Sequence, residues 1–380
     1  MSELYDTLRR HVDDGAVPGA VAMVARGDDV EVVAVGGVDV EGTAPMAQDS
    51  IFRIASITKP ITAAAVLMLV EDGLFGIDDP VEEWLPELSK PVVVRTPDAP
   101  VDDVVPAARP ITVEDLLSSR TGWGFPSDFS LPAVHALFDV QRDGRDLSAY
   151  PDPDTWLAEL ARLPLLYQPG EAWLYGTSSD LQGILVARAS GRSLPEFLAE
   201  RIFEPLGMED TAFEVPAAKR GRFTSYYGVD ATGVPELLDA PDGGWSTMPT
   251  FPSGQGGLVG TADDWLAFAR MLLAGGTANG RRLLSATSVS RMTTNHLTAR
   301  QREIGALFME DQGWGYGGSV DVAPVAPWNV AGRYGWVGGT GTTAHIVPTT
   351  RTVTILLTQL GMRSPTPTDL MRDFWRAAAG

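Results

Sequence analysis

The chain has 380 residues, 44% of them apolar, enough for one large domain or two ordinary ones with a filled core. It contains no cysteine, which excludes disulfides, thiolate nucleophiles and thiolate metal sites; its formal charge of −20, with no basic run, opposes nucleic acid and anionic membranes as partners. No stretch approaches the roughly 18 apolar residues that span a bilayer, and the polar, acidic start Met1-Ser2-Glu3-Leu4-Tyr5 gives the expectation of a cytoplasmic protein.

Leu4, Leu8 and Val12 have helical spacing. After Pro18-Gly19, the Val- and Ala-rich runs 20–26 and 29–38 flank Gly27-Asp28 and read as a hairpin. From Ser56 the pattern Ile61, Ala64, Ala65, Leu67, Met68, Val70 predicts a helix that stops at Gly73. Residues 76–249 are rich in proline and carry helical patterns at 113–118, 154–162, 179–189 and 194–202. Further helices are expected at 262–274 and 285–293, strands at 332–337, 342–347 and 352–359, and a closing helix at 368–378. The fold class is therefore α/β of the α+β type. One antiparallel sheet from both chain ends (1–75 and 250–380) is flanked by helices, a mainly helical lobe (76–249) is inserted, and a cleft lies between them.

The segment Ile54-Ala55-Ser56-Ile57-Thr58-Lys59-Pro60 opens the strongest helix, and Pro60 is tolerated because first-turn N–H groups lack intrahelical partners. Residues three apart share a helix face, so the Lys59 amine comes within reach of the Ser56 hydroxyl. A serine needs a neighbouring base to become a nucleophile, and burial together with the positive helix end favours the neutral amine that can serve. The bland alternative is an N-cap serine beside a solvated lysine. Against it, lysine occurs only at 59, 90 and 219, and a basic first turn opposes the helix dipole. No G-x-S-x-G elbow and no metal-ligand spacing is present, and His11, His135, His296 and His345 form no catalytic pattern; no metal or organic cofactor is expected.

From about Pro18 to the last strand the sequence resembles the family of class C β-lactamases, D,D-peptidases and family VIII carboxylesterases. Besides Ser56-Ile57-Thr58-Lys59, the resemblance rests on Thr112-Val113-Glu114-Asp115-Leu116-Leu117 with Arg120-Thr121-Gly122, on Glu204-Pro205-Leu206-Gly207-Met208, and on Gly256-Gly257-Leu258-Val259 with Thr261-Ala262-Asp263-Asp264. It implies a β-lactamase/transpeptidase-like fold. In Trp173-Leu174-Tyr175-Gly176-Thr177 it makes Tyr175 the tyrosine that shares the Ser56 proton with Lys59, and Thr177 stands where β-lactamases usually carry asparagine. Trp336-Val337-Gly338 stands for the third motif without its basic first residue, and matching positions imply an oxyanion hole from the backbone N–H groups of Ser56 and Gly339.

The expected activity is hydrolysis of a small or medium ester through a Ser56 acyl-enzyme, because Trp336 and Thr177 both depart from the lactamase pattern. Trp336, Gly338, Thr177 and Trp123 are expected to contact substrate, with Trp173, Trp245, Trp314 and Trp328 as further candidates for an apolar acyl pocket. The segment 122–150 is expected to set specificity. Alternatives are a β-lactamase or D-amino-acid peptidase, a transacylase, and a non-catalytic acyl-binding module.

Overall fold

The computed structural model describes residues 2–142, 150–230 and 234–380. Seven antiparallel strands form its main sheet: β1 (Gly19–Arg26), β2 (Asp29–Gly36), β3 (Gly313–Trp314), β4 (Ser319–Val320), β5 (Tyr334–Gly338), β6 (Thr342–Val347) and β7 (Thr352–Thr358). Their order is β3-β4-β5-β6-β7-β1-β2, so the first hairpin of the chain joins the sheet through β1 against the last strand, β7. The antiparallel sheet built from both chain ends is thus present.

β1 shows why both faces of this sheet must be covered. Its residues alternate between two apolar clusters: Val21, Met23 and Ala25 face one, Ala20, Ala22 and Val24 the other. On the second face lie the terminal helices Glu3–Asp13 and Asp369–Ala379, which contribute Leu4, Leu8, Leu370, Phe374 and Trp375. On the first lie Lys59–Glu71 and Ala262–Leu273. The apolar core then runs on without a break to Leu116, Trp156 and Leu185 of the middle segment.

The helix Lys59–Glu71 is apolar around its whole circumference, the mark of a central helix rather than a surface one, and everything from Lys59 to Leu69 is buried. It packs against Thr177–Ser190, which is buried from Thr177 to Val186. Ser56 belongs to a separate 3₁₀ turn, Ala55–Thr58, and the α-helix begins only at Lys59. The expectation of a single helix starting at Ser56 is corrected to that extent. The pattern at 194–202 likewise ends as α-helix at Leu198 and continues as a π turn through Phe203. A helix at Pro132–Val140 and small hairpins at Val92–Val94 with Val104–Pro106 and Tyr226–Val229 with Pro235–Asp239 were not foreseen. No helix among the described residues is long and apolar enough to cross a membrane.

Candidate active site

Ser56 is delivered to its place by the sheet. Thr340 Oγ1 donates to the Arg53 carbonyl at 2.5 Å and Thr342 Oγ1 to the Ile54 carbonyl at 2.9 Å, so the β5–β6 turn holds the chain two and three residues ahead of the serine. Gly338 makes the approach possible, since a Cβ there would lie 2.7 Å from the Ile54 oxygen and 2.1 Å from Thr342 Oγ1. Ala55, between clamp and serine, has φ +46°, a left-handed conformation that side chains avoid.

Tyr175 arrives from the other side. Its backbone exchanges two hydrogen bonds of 2.9 Å with Phe125, and Gly176, at φ +99°, then turns the chain into the helix Thr177–Ser190. The phenol ring is stacked on Phe308 at 4.7 Å between centroids and lies against Trp336 at 5.7 Å.

Three functional groups meet here. Lys59 Nζ lies 2.9 Å from Ser56 Oγ and 3.2 Å from Tyr175 Oη, and Tyr175 Oη donates to Ser56 Oγ at 2.8 Å. Lys59 is 1% exposed and makes its third hydrogen bond to the Gln255 carbonyl at 2.9 Å. A buried amine without partners costs several kcal/mol, and three oxygens around Nζ offset that. Tyr175 Oη in turn accepts from Trp336 Nε1 at 2.9 Å. The 2.9 Å separation of Nζ and Oγ suits proton movement in either direction.

The triangle borders a cavity of about 360 Å³ lined by Ser56, Tyr175, Gln255, Phe308, Trp336 and Gly339, among others. Of β5, β4 pairs only Tyr334 and Gly335, so among the described residues the edge of β5 beyond them has no strand partner on that side. Neither the Ser56 nor the Gly339 N–H donates to a backbone carbonyl among the described residues. Both are free to meet an oxyanion. Among the described residues no cluster of His, Asp or Glu could hold a metal ion.

Of the residues expected at the site, Ser56, Lys59, Tyr175, Trp336 and Gly339 come together. Three expected substrate contacts do not. Gly338 lies against Ile54 and Ala55 and does not line the cavity. Trp123 is 3% exposed in the core, where its indole donates to the Leu163 carbonyl, and is corrected from substrate contact to packing. Thr177 is fully buried, with Oγ1 unpartnered among the described residues, and does not line the cavity. Trp173, Trp245 and Trp314 are buried core as well, and Trp328 lies against Trp375 away from Ser56. Of the segment 122–150, residues 143–149 lie outside the described residues and none of the others lines the cavity; Phe129 is edge-on to Phe308, which does, at 6.2 Å. Sequence reasoning missed Gln255, which directly precedes the Gly256-Gly257 motif, and Phe308, Met362 and Arg363, which reach the cavity from segments carrying no motif.

The family model described as Beta-lactamase matches residues 4–376. Protein Rv1367c of Mycobacterium tuberculosis is 36% identical over 365 residues, covering 93% of this chain and 88% of that protein. Esterase EstB of Burkholderia gladioli is 35% identical over 269 residues, covering 65% of this chain and 64% of its own. The solved structure of EstCE1, titled a hydrolase with promiscuous acyltransferase activity, shares the fold at TM-score 0.80 and 24% identity, covering 100% of this chain and 98% of that one. With the match spanning nearly every residue and the fold reproduced throughout, the chain belongs to the beta-lactamase family and is an enzyme of its serine-hydrolase and acyl-transfer kind.

Proposed function

We propose that the protein is a carboxylesterase acting through a Ser56 acyl-enzyme. The observation that carries this reading is the closed triangle of Ser56 Oγ, Lys59 Nζ and Tyr175 Oη beside an open cavity. Ser56 Oγ attacks the ester carbonyl carbon while its proton passes to the Lys59–Tyr175 pair. The carbonyl oxygen, now negative, is held by the N–H groups of Ser56 and Gly339. The tetrahedral intermediate collapses, the carbon–oxygen bond to the alcohol breaks, and the alcohol leaves with the proton returned through Tyr175. Water then repeats the sequence on the acyl-enzyme and frees Ser56.

An ester is favoured over a lactam or peptide amide by Trp336. Its indole occupies the place of the family's cationic residue and, with Phe308, Val337, Met362 and Pro365, makes the cavity wall apolar. The name of EstB supports the same choice. Steady-state kinetics on a p-nitrophenyl ester and a chromogenic cephalosporin test it: ester kcat/KM should exceed lactam kcat/KM by more than a hundredfold, on the order of what selective recognition achieves. The reverse order would make the protein a β-lactamase. Transfer of the acyl group to an alcohol is the second reading, favoured by the apolar wall beside Ser56, and would appear as mixed ester product when butanol is added.

A further inference from the structure

Asp180 is not part of the triangle, yet it is 1% exposed in the first turn of the helix that starts two residues after Tyr175. Its Oδ1 accepts from Ser253 Oγ at 2.7 Å and from the Gln255 N–H at 3.2 Å, and its Oδ2 accepts from Gln141 Nε2 at 3.0 Å. Burial pushes this carboxyl up, and the donors from Ser253, Gln141 and Gln255 together with the charge of Lys59 oppose that rise.

Gln255 is the link to the chemistry. Its N–H is held by Asp180 and its carbonyl receives Lys59 Nζ at 2.9 Å, so one residue connects the carboxylate to the amine. The neighbouring Gly254 carbonyl accepts from Thr62 Oγ1 at 2.7 Å, on the helix that Lys59 opens. Gly254 also seats the loop flush on the Tyr175 helix, for a Cβ there would meet the Ser179 oxygen at 2.4 Å. The geometry points to Asp180 as a positioning residue: by fixing the 253–255 loop to the helix behind Tyr175, it sets the 3.2 Å spacing between Lys59 Nζ and Tyr175 Oη.

The proposal rests on the Ser56 mechanism above but not on the ester as substrate. It is tested on the full-length enzyme by the rate at which a fluorophosphonate labels Ser56, read by intact mass, alongside ester kcat and KM. Asp180→Ala should slow labelling and kcat by on the order of thirtyfold to a hundredfold with KM within about threefold, the cost of a displaced catalytic group. Asp180→Asn should recover to within about fivefold, because Gln141 Oε1 has no partner among the described residues and a flipped Gln141 amide can accept from the new Nδ2. If Asp180→Ala labels as fast as the native enzyme per folded molecule, or if Asp180→Asn is as slow as Asp180→Ala, the proposal is overturned. Should Asp180→Ala not fold, Ser253→Ala removes one donor alone; slower labelling by about fivefold or more supports the role and an unchanged rate overturns it. Native enzyme that is labelled at Ser56 but turns over no ester would refute the esterase reading and leave this test intact.

Discussion

The indole N–H of Trp336 donates to Tyr175 Oη across 2.9 Å, so Trp336 bonds the same phenol oxygen that touches Ser56 Oγ. With Lys59 Nζ also directed at that oxygen, two donors converge on it, and both bonds strengthen as negative charge gathers there. Trp336→Phe keeps the ring and removes the N–H. It should lower ester kcat by about threefold to tenfold with little change in KM. A loss confined to KM would show that the indole only packs against substrate.

Ala55 carries the strained φ of +46° immediately before the nucleophile. Ala55→Gly relieves the left-handed strain at the cost of a more flexible unfolded chain, so its effect on stability should lie between zero and a gain of about 1 kcal/mol. Ala55→Val should destabilise by more than about 1 kcal/mol, because a β-branched residue tolerates that conformation worst. Urea midpoints of the three proteins check the order. A glycine variant weakened as at an ordinary helical alanine would show that Ala55 is not strained in solution.

Among the described residues lining the cavity, Arg363 is the one guanidinium and there is no carboxylate, in a chain of net charge −20. The site should therefore favour esters that bear a distant carboxylate over their neutral analogues. For 4-acetoxybenzoate against its methyl ester, Arg363→Glu should reduce the ratio of kcat/KM values by about threefold to tenfold, and more at low salt. A ratio unaffected by the substitution and by salt would remove Arg363 from recognition.

His345 of β6 is buried, and burial first, then the charge of Arg333, holds its imidazole well below the usual 6.5. The folded protein keeps this ring neutral, while the unfolded chain protonates it below about 6.5. Stability is thus intact above 6.5 and is lost as pH falls, by about 1.4 kcal/mol per pH unit until the folded value is reached. Compared by urea unfolding between pH 8 and pH 5, the native chain should lose stability relative to His345→Gln. A constant difference would contradict this.

Periodicity made the sheet readable because β1 and β7 are buried on both faces and bounded by glycine or turn residues, and the all-apolar helix after Lys59 has no competing reading. The three-residue spacing made Ser56 and Lys59 readable for the same local reason. What escaped was set by tertiary packing. Trp123 and Trp336 are the same residue type, and only the fold decides that one donates to Leu163 in the core while the other faces Ser56. Phe308 and Arg363 reach the cavity from remote segments with no periodic or motif signal. Asp180 reads alone as a surface acid; its only sequence clue is a setting between Ser179 and Leu181 on a helix with apolar residues on every side.

The central claim is that Ser56 forms the acyl-enzyme. Intact mass after brief mixing with a p-nitrophenyl ester, for the native chain and for Ser56→Ala, tests it most directly. The account predicts an added acyl mass on the native chain only, with turnover lower by on the order of a thousandfold or more in Ser56→Ala. Ser56→Ala that still gains the acyl mass, or still turns over at the native rate, would contradict it.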